Sequence, residues 1–173
     1  MKSVVYLLSS FFLFNCCTPA ETEKSYTYLT IHRNNYIDTV KWDLSVDYLN
    51  ETDSFFIFRG VENRRERSDS TTLYFPKFSE TRDKYGFRLI NSKTFTFEKQ
   101  EFQVYKYISG ESIGDGVTLS YFEPSIGMIL HKSASWGTYL RLVKTEDTEL
   151  DKIIFFLNDK IIANPSFFSP MNK

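Results

Sequence analysis

The sequence is short of the residue types that build covalent or metal-bound sites. It has two cysteines, Cys16 and Cys17, adjacent to each other and absent from the rest of the chain. Neighbouring cysteines are poorly placed to bridge each other and nothing distant is available to pair with either. The domain is therefore expected to hold no internal disulfide and no thiolate metal site. Histidine is equally scarce, with only His32 and His131. No G-x-S-x-G elbow, H-E-x-x-H, P-loop or G-x-G-x-x-G occurs, and no cofactor is expected. One sign of charge does not dominate: 21 Lys and Arg face 22 Asp and Glu, for a net charge of −1. Such a balance gives no general attraction to polyanions, so nucleic acid is not an expected partner. No repeat or low-complexity segment appears.

What the chain does have is apolar and aromatic mass. At 173 residues it fits one domain, and 42% hydrophobic residues can build a core. Phe (17) and Tyr (11) are unusually numerous. They either fill that core or leave an aromatic surface for a ligand.

The first twenty residues read as an address. Met1-Lys2-Ser3 is a short cationic start, and Val4 to Phe14 (VVYLLSSFFLF) is an apolar run of about eleven residues, the length of a signal-peptide h-region and too short to span a bilayer. Leu13-Phe14-Asn15-Cys16 follows, and it resembles the lipobox of bacterial lipoproteins. The resemblance implies cleavage before Cys16, a diacylglyceryl thioether on its sulfur and an amide-linked fatty acid such as palmitate on its nitrogen. Asn15 stands where that family usually has Gly, Ala or Ser, and Cys17 is the alternative modified residue. The competing expectation is ordinary secretion, with Thr18 and Ala20 at the −3 and −1 positions of a cut after Ala20. In the lipoprotein reading, residues 1–15 are the signal peptide, 16–24 the lipidated terminus and tether, and 25–173 one β-rich globular domain. Losing Lys2 and no acid leaves the mature part at −2. The expected location is the cell envelope, lipid-anchored, with the outer membrane preferred over the inner; the alternative is secreted or periplasmic.

From Tyr26 the hydrophobic period becomes two. Ser25–Arg33 alternates, and Thr39–Tyr48 does so most cleanly, with Val40, Trp42, Leu44, Val46 and Tyr48 on one face. Ser54–Arg59, Thr71–Phe75, Tyr85–Ile90, Thr94–Phe97, Phe102–Ile108, Val117–Phe122, Ile126–His131 and Thr138–Val143 are further predicted strands. Turns are expected at Asn34-Asn35, Lys99-Gln100-Glu101, Asp115-Gly116 and Glu123-Pro124-Ser125, and Gly60–Thr72, rich in opposed charges, reads as a solvated loop. Near the end, Thr148 with Asp151 three residues on suggests a capping box. Leu150, Ile153, Ile154, Leu157 and Ile161 then share one helical face, and Asn164-Pro165 stops it. A β-hairpin about Asn158-Asp159 is the alternative. The expected class is α+β, a mostly antiparallel sheet of about eight to ten strands backed by one carboxy-terminal helix, with an all-β sandwich or barrel as alternative.

Candidate chemistry is thin. His32 and His131 each end a predicted strand and read as surface histidines. Asp43 and Asp47 share a strand face, and paired carboxylates are how glycosidases work, but outward acids on an amphipathic strand are ordinarily solvated. Glu111–Asp115 lacks the graded oxygen ligands of a calcium loop. Tyr26, Tyr28, Tyr105 and Tyr107 form the one possible aromatic binding surface. Tyr121–Leu142 (YFEPSIGMILHKSASWGTYLRL) is similar to the carboxy-terminal strands of small uncharacterised envelope lipoproteins of the Bacteroidetes; that likeness implies an envelope protein and carries over no site residue. The expected function is a non-enzymatic binding or structural domain, held to a membrane through Cys16 and engaging an envelope protein or an apolar ligand. The alternative is an envelope hydrolase acting on glycan or lipid through Asp43, Asp47, His32 or His131.

Overall fold

A computed structural model describes residues 24–31, 37–64, 67–79, 86–110, 116–134 and 138–169. Among them lie nine strands: β1 (Lys24–Ile31), β2 (Ile37–Glu51), β3 (Phe55–Arg64), β4 (Arg67–Pro76), β5 (Arg88–Phe97), β6 (Gln100–Ser109), β7 (Thr118–Glu123), β8 (Gly127–Ser133) and β9 (Tyr139–Lys144). Two helices follow among the described residues, α1 (Thr148–Ile162) and the single turn α2 (Pro165–Phe168). The protein is therefore α+β and mostly β, as the hydrophobic periods predict. No helix among the described residues is long and apolar enough to cross a membrane.

All nine strands form one antiparallel sheet in the order β4-β3-β2-β1-β9-β8-β7-β6-β5. Each strand pairs with its sequence neighbour except β4 with β5, and the first and ninth strands pair instead, for example Tyr28 with Leu142. The sheet cannot be flat. Phe56 of β3 and Phe122 of β7 are five strand steps apart, about 24 Å at 4.8 Å per step, yet their ring centroids are 5.5 Å apart. Phe75 of β4 reaches Phe122 at 4.6 Å and Tyr107 of β6 at 5.0 Å. The sheet rolls up into an open barrel, and aromatic rings from both halves meet inside it.

That interior explains the aromatic composition. Tyr26, Tyr28, Val46, Phe56, Phe58, Phe75, Tyr107 and Phe122 are all under 5% exposed. A buried tyrosine usually finds a partner for its hydroxyl; among the described residues Tyr107 Oη has none, but Tyr26 and Tyr28 do. Tyr26 Oη donates to the Ile126 carbonyl and Tyr28 Oη to that of Met128, each at 2.6 Å, spanning from β1 past β9 to the start of β8. Close packing also dictates Gly127, whose φ is +104°; a Cβ there would stand 2.8 Å from the Phe58 ring.

The outer face of β5 to β9 is covered by the helices. Asp147, not Thr148, caps α1, accepting from the Glu149 and Leu150 amides. Asp151 reaches back as expected, but to the Thr145 amide and hydroxyl. Because Asp147 already meets the first free amides, the carboxylate of Asp151, the fourth residue of the helix, is released to hold the incoming strand end. Ile154, Leu157 and Ile161 are fully buried and Leu150 and Ile153 half-buried, the predicted face. Asn164 then caps α2, with Pro165 at its first position.

Three expectations need correction. Gly60–Thr72 is no loop: β3 and β4 run on as one ladder to Arg64 opposite Arg67. Opposed charges along a segment do not stop its backbone from pairing, and the ladder bonds persist through it. Tyr85–Ile90 and Thr94–Phe97 are not two strands; β5 is continuous from Arg88, with an irregularity between Leu89 and Asn91. The turn between β5 and β6 falls at Glu98-Lys99, with φ of 46° and 73°, one residue earlier than the polar run suggests.

Candidate functional site

The predicted aromatic surface is not a surface. Tyr26 and Tyr107 have no exposure and Tyr28 has 3%, while Tyr105 is half-buried and stacks near Tyr107. Alternation fixes which residues share a strand face but not which face turns inward, and a rolled sheet places its largest rings inside. Burial pushes the Tyr26 hydroxyl up to about 12, with the Glu123 carboxylate adding to the effect, and raises Tyr28, Tyr107 and Tyr121 well above the usual tyrosine range.

One polar row crosses this interior. Tyr107, Ser120, His131 and Leu140 stand directly opposite one another on β6, β7, β8 and β9. Ser120 Oγ and His131 Nδ1 are 2.8 Å apart. The histidine read as exposed is thus half-buried and bonded, and burial lowers its pKa, which keeps it neutral at pH 7. A Ser-His pair is the start of a nucleophilic site. Ser120, however, presents no surface to solvent, and among the described residues no carboxylate orients His131. The pair serves as a satisfied polar link in an apolar wall. Asp43 is exposed on β2 and accepts from the Thr27 hydroxyl at 2.9 Å, so the structure does not bring it to His131. Cys16, Cys17, His32, Glu111–Asp115 and the side chain of Asp47 lie outside the described residues.

The candidate contact site is on the helical side. Phe97, Val143, Phe155 and Phe156 line a shallow hollow of about 620 Å³ with Asp151, Lys152, Asp159 and Lys160 around it. Phe155 is 65% exposed. It points away from the buried stripe of α1, because position 155 follows Ile154 by one residue, or about 100° of helix turn. The Arg141 guanidinium lies 5.5 Å from the Phe155 ring, and Lys160 lies 5.5 Å from that of Phe156. Phe156 in turn packs on Phe97 of β5 at 5.0 Å, which fixes the floor.

Behind α2 the same face carries two lysines. Lys106 donates to the Ser169 carbonyl at 2.5 Å and Lys132 to the Phe168 carbonyl at 3.3 Å. Tyr121 between them donates to the Phe167 carbonyl at 3.0 Å. Burial lowers both lysines, and the Lys132 charge helps bring Lys106 to about 8.

Sequence reasoning missed Phe155, Ser120 and both lysines. One signal was present: Lys106 falls in phase with Phe102, Val104 and Ile108, a cation in an apolar register. Comparison with known proteins gives no matching family model, no matching curated protein and no matching solved structure.

Proposed function

We propose that this chain is a non-enzymatic cell-envelope lipoprotein, anchored through Cys16, whose domain binds a partner protein through the hollow around Phe155. The observation that carries the reading is Phe155 itself, 65% exposed on a helix whose other face is sealed. Large side chains exposed at the centre of a hollow are the usual anchors of protein interfaces. The rim favours a protein over a lipid surface. Asp151 and Asp159 alternate with Lys152 and Lys160, whereas a face that lies on anionic lipid is dominated by cations. An apolar centre ringed by both charges matches an amphipathic segment of another chain.

Two measurements test this. The intact mass of the amino-terminal peptide from membranes should start at Cys16 with a diacylglyceryl group and lose both features in Cys16→Ala; an unmodified peptide starting near Glu21 would remove the anchor. A photo-crosslinking aromatic at position 155 should give one adduct of defined mass in intact cells, lost when Phe156→Glu is added. Equal labelling from the exposed turn residue Lys99 would overturn the docking site.

A further inference from the structure

The sheet face beneath the helices carries three cations that meet no acid. They are Lys106 on β6, Lys132 on β8 and Arg141 on β9, and among the described residues none has a carboxylate partner. Lys106 is 3% exposed. Arg141 Nε is buried without an acceptor. A buried cation is costly unless an opposite charge or several acceptors compensate.

The backbone compensates in part. The two ammonium groups sit on the adjacent carbonyls of Ser169 and Phe168, and Lys132 also stands 3.7 Å over the Phe168 ring. Tyr121 also donates at that carbonyl end, to the carbonyls of Phe167 and Phe168. Burial lowers the Lys106 pKa most, and repulsion from the second lysine lowers it further. Each ammonium has three donors, and among the described residues one on each lysine is occupied. Donors and charge are both in surplus, in a place where Lys132 keeps access to solvent.

We propose that Lys106 and Lys132 form an anion site at the end of α2 that takes a phosphate group. A phosphate carries close to two negative charges at neutral pH and matches the two ammoniums, where a carboxylate leaves one unbalanced. Its several oxygens accept the remaining N–H donors of both lysines while the carbonyl bonds stay in place. Arg141, two positions along β9 from Tyr139, which pairs with Lys132, adds positive potential from the same face. The phosphate is either free or the terminal monoester of a lipid headgroup, as in phosphatidic acid, since a phosphodiester carries only one charge. The site does not depend on the hollow around Phe155.

The test uses the full chain in neutral detergent. Inorganic phosphate, titrated at constant ionic strength against chloride, should raise the melting temperature and shift the ³¹P resonance. Lys132→Gln, at the half-buried position, should weaken binding by about tenfold or more, the loss of one charge-assisted bond. Lys106→Met with Lys132→Gln should abolish it; if that pair does not fold, the single variant carries the test. A phosphate effect no larger than chloride's, or one unchanged in Lys132→Gln, would overturn the site. Phosphatidic acid vesicles that displace inorganic phosphate and sediment the chain identify a headgroup as the source. Vesicles that do neither identify free phosphate.

Discussion

The hydroxyl of Tyr26 and the carbonyl of Ile126 are joined at 2.6 Å inside the barrel, one hundred positions apart in sequence. With the matching bond from Tyr28 to Met128, it fixes how far β1 lies from the β7–β8 turn. Phenylalanine at either position keeps the ring and leaves a buried carbonyl short of one donor. Each of Tyr26→Phe and Tyr28→Phe should cost about 1–2 kcal/mol, seen as a lower urea midpoint with an unchanged slope. Equal midpoints in wild type and both variants would show that water replaces the hydroxyls.

Gly127 is the point where backbone and ring leave no space. Alanine there meets two penalties, a φ of +104° and a Cβ 2.8 Å from Phe58. Gly127→Ala should cost about 2–4 kcal/mol. Adding Phe58→Leu should recover only the steric part, leaving the conformational part of about 1–2 kcal/mol. Full recovery in the double variant would show that the left-handed backbone carries no cost.

His131 makes stability depend on pH in a defined direction. Its folded pKa lies below the unfolded value near 6.5, so the unfolded chain binds more protons in between. Stability is therefore complete above about pH 6.5 and falls as the pH drops through the lower, folded value. His131→Gln, which keeps a partner for Ser120 and does not titrate, should flatten that part of the acid limb. Urea midpoints at pH 7.5 and 5.0 for both proteins check it; parallel declines would assign the loss to other groups.

Asn158 is fully buried and stitches α1 to β9. Its Nδ2 donates to the Leu142 carbonyl at 2.9 Å and to that of Ile154 at 3.0 Å, while Oδ1 has no partner among the described residues. Asn158→Ala should cost about 2–3 kcal/mol. Asn158→Asp should cost more, because a buried carboxylate would face two carbonyl oxygens. Thermal melts that rank the aspartate variant above the alanine one would contradict this geometry.

The elements were largely legible in the sequence, and their placement was not. Period-two patterning found part of every strand, since half-buried strands must alternate, but it split β5 and cut the β3–β4 ladder short. The helical face of Leu157 and Ile161 stood out for the same reason. Rolling of the sheet left no local trace. It depends on which distant strands meet, so Tyr26 and Tyr107 read as surface when they are interior. β7 shows the difficulty most plainly: from Leu119 to Glu123 every residue is buried, because both faces of the strand are covered. Phe155 was hidden for the opposite reason, since one more apolar residue in Ile-Ile-Phe-Phe carries no mark of exposure. Lys106 alone broke its pattern visibly.

The pairing of β1 with β9 has a consequence for the order of assembly. During synthesis the first four strands emerge as one meander and the next five as another, each with an unmatched side. The seam between them closes only when residues 139–144 meet residues 27–31, more than a hundred positions back. Contacts so distant in sequence form slowly, because the loop they close must first be gathered in. The two meanders can each form on their own, but the barrel closes only when β9 meets β1.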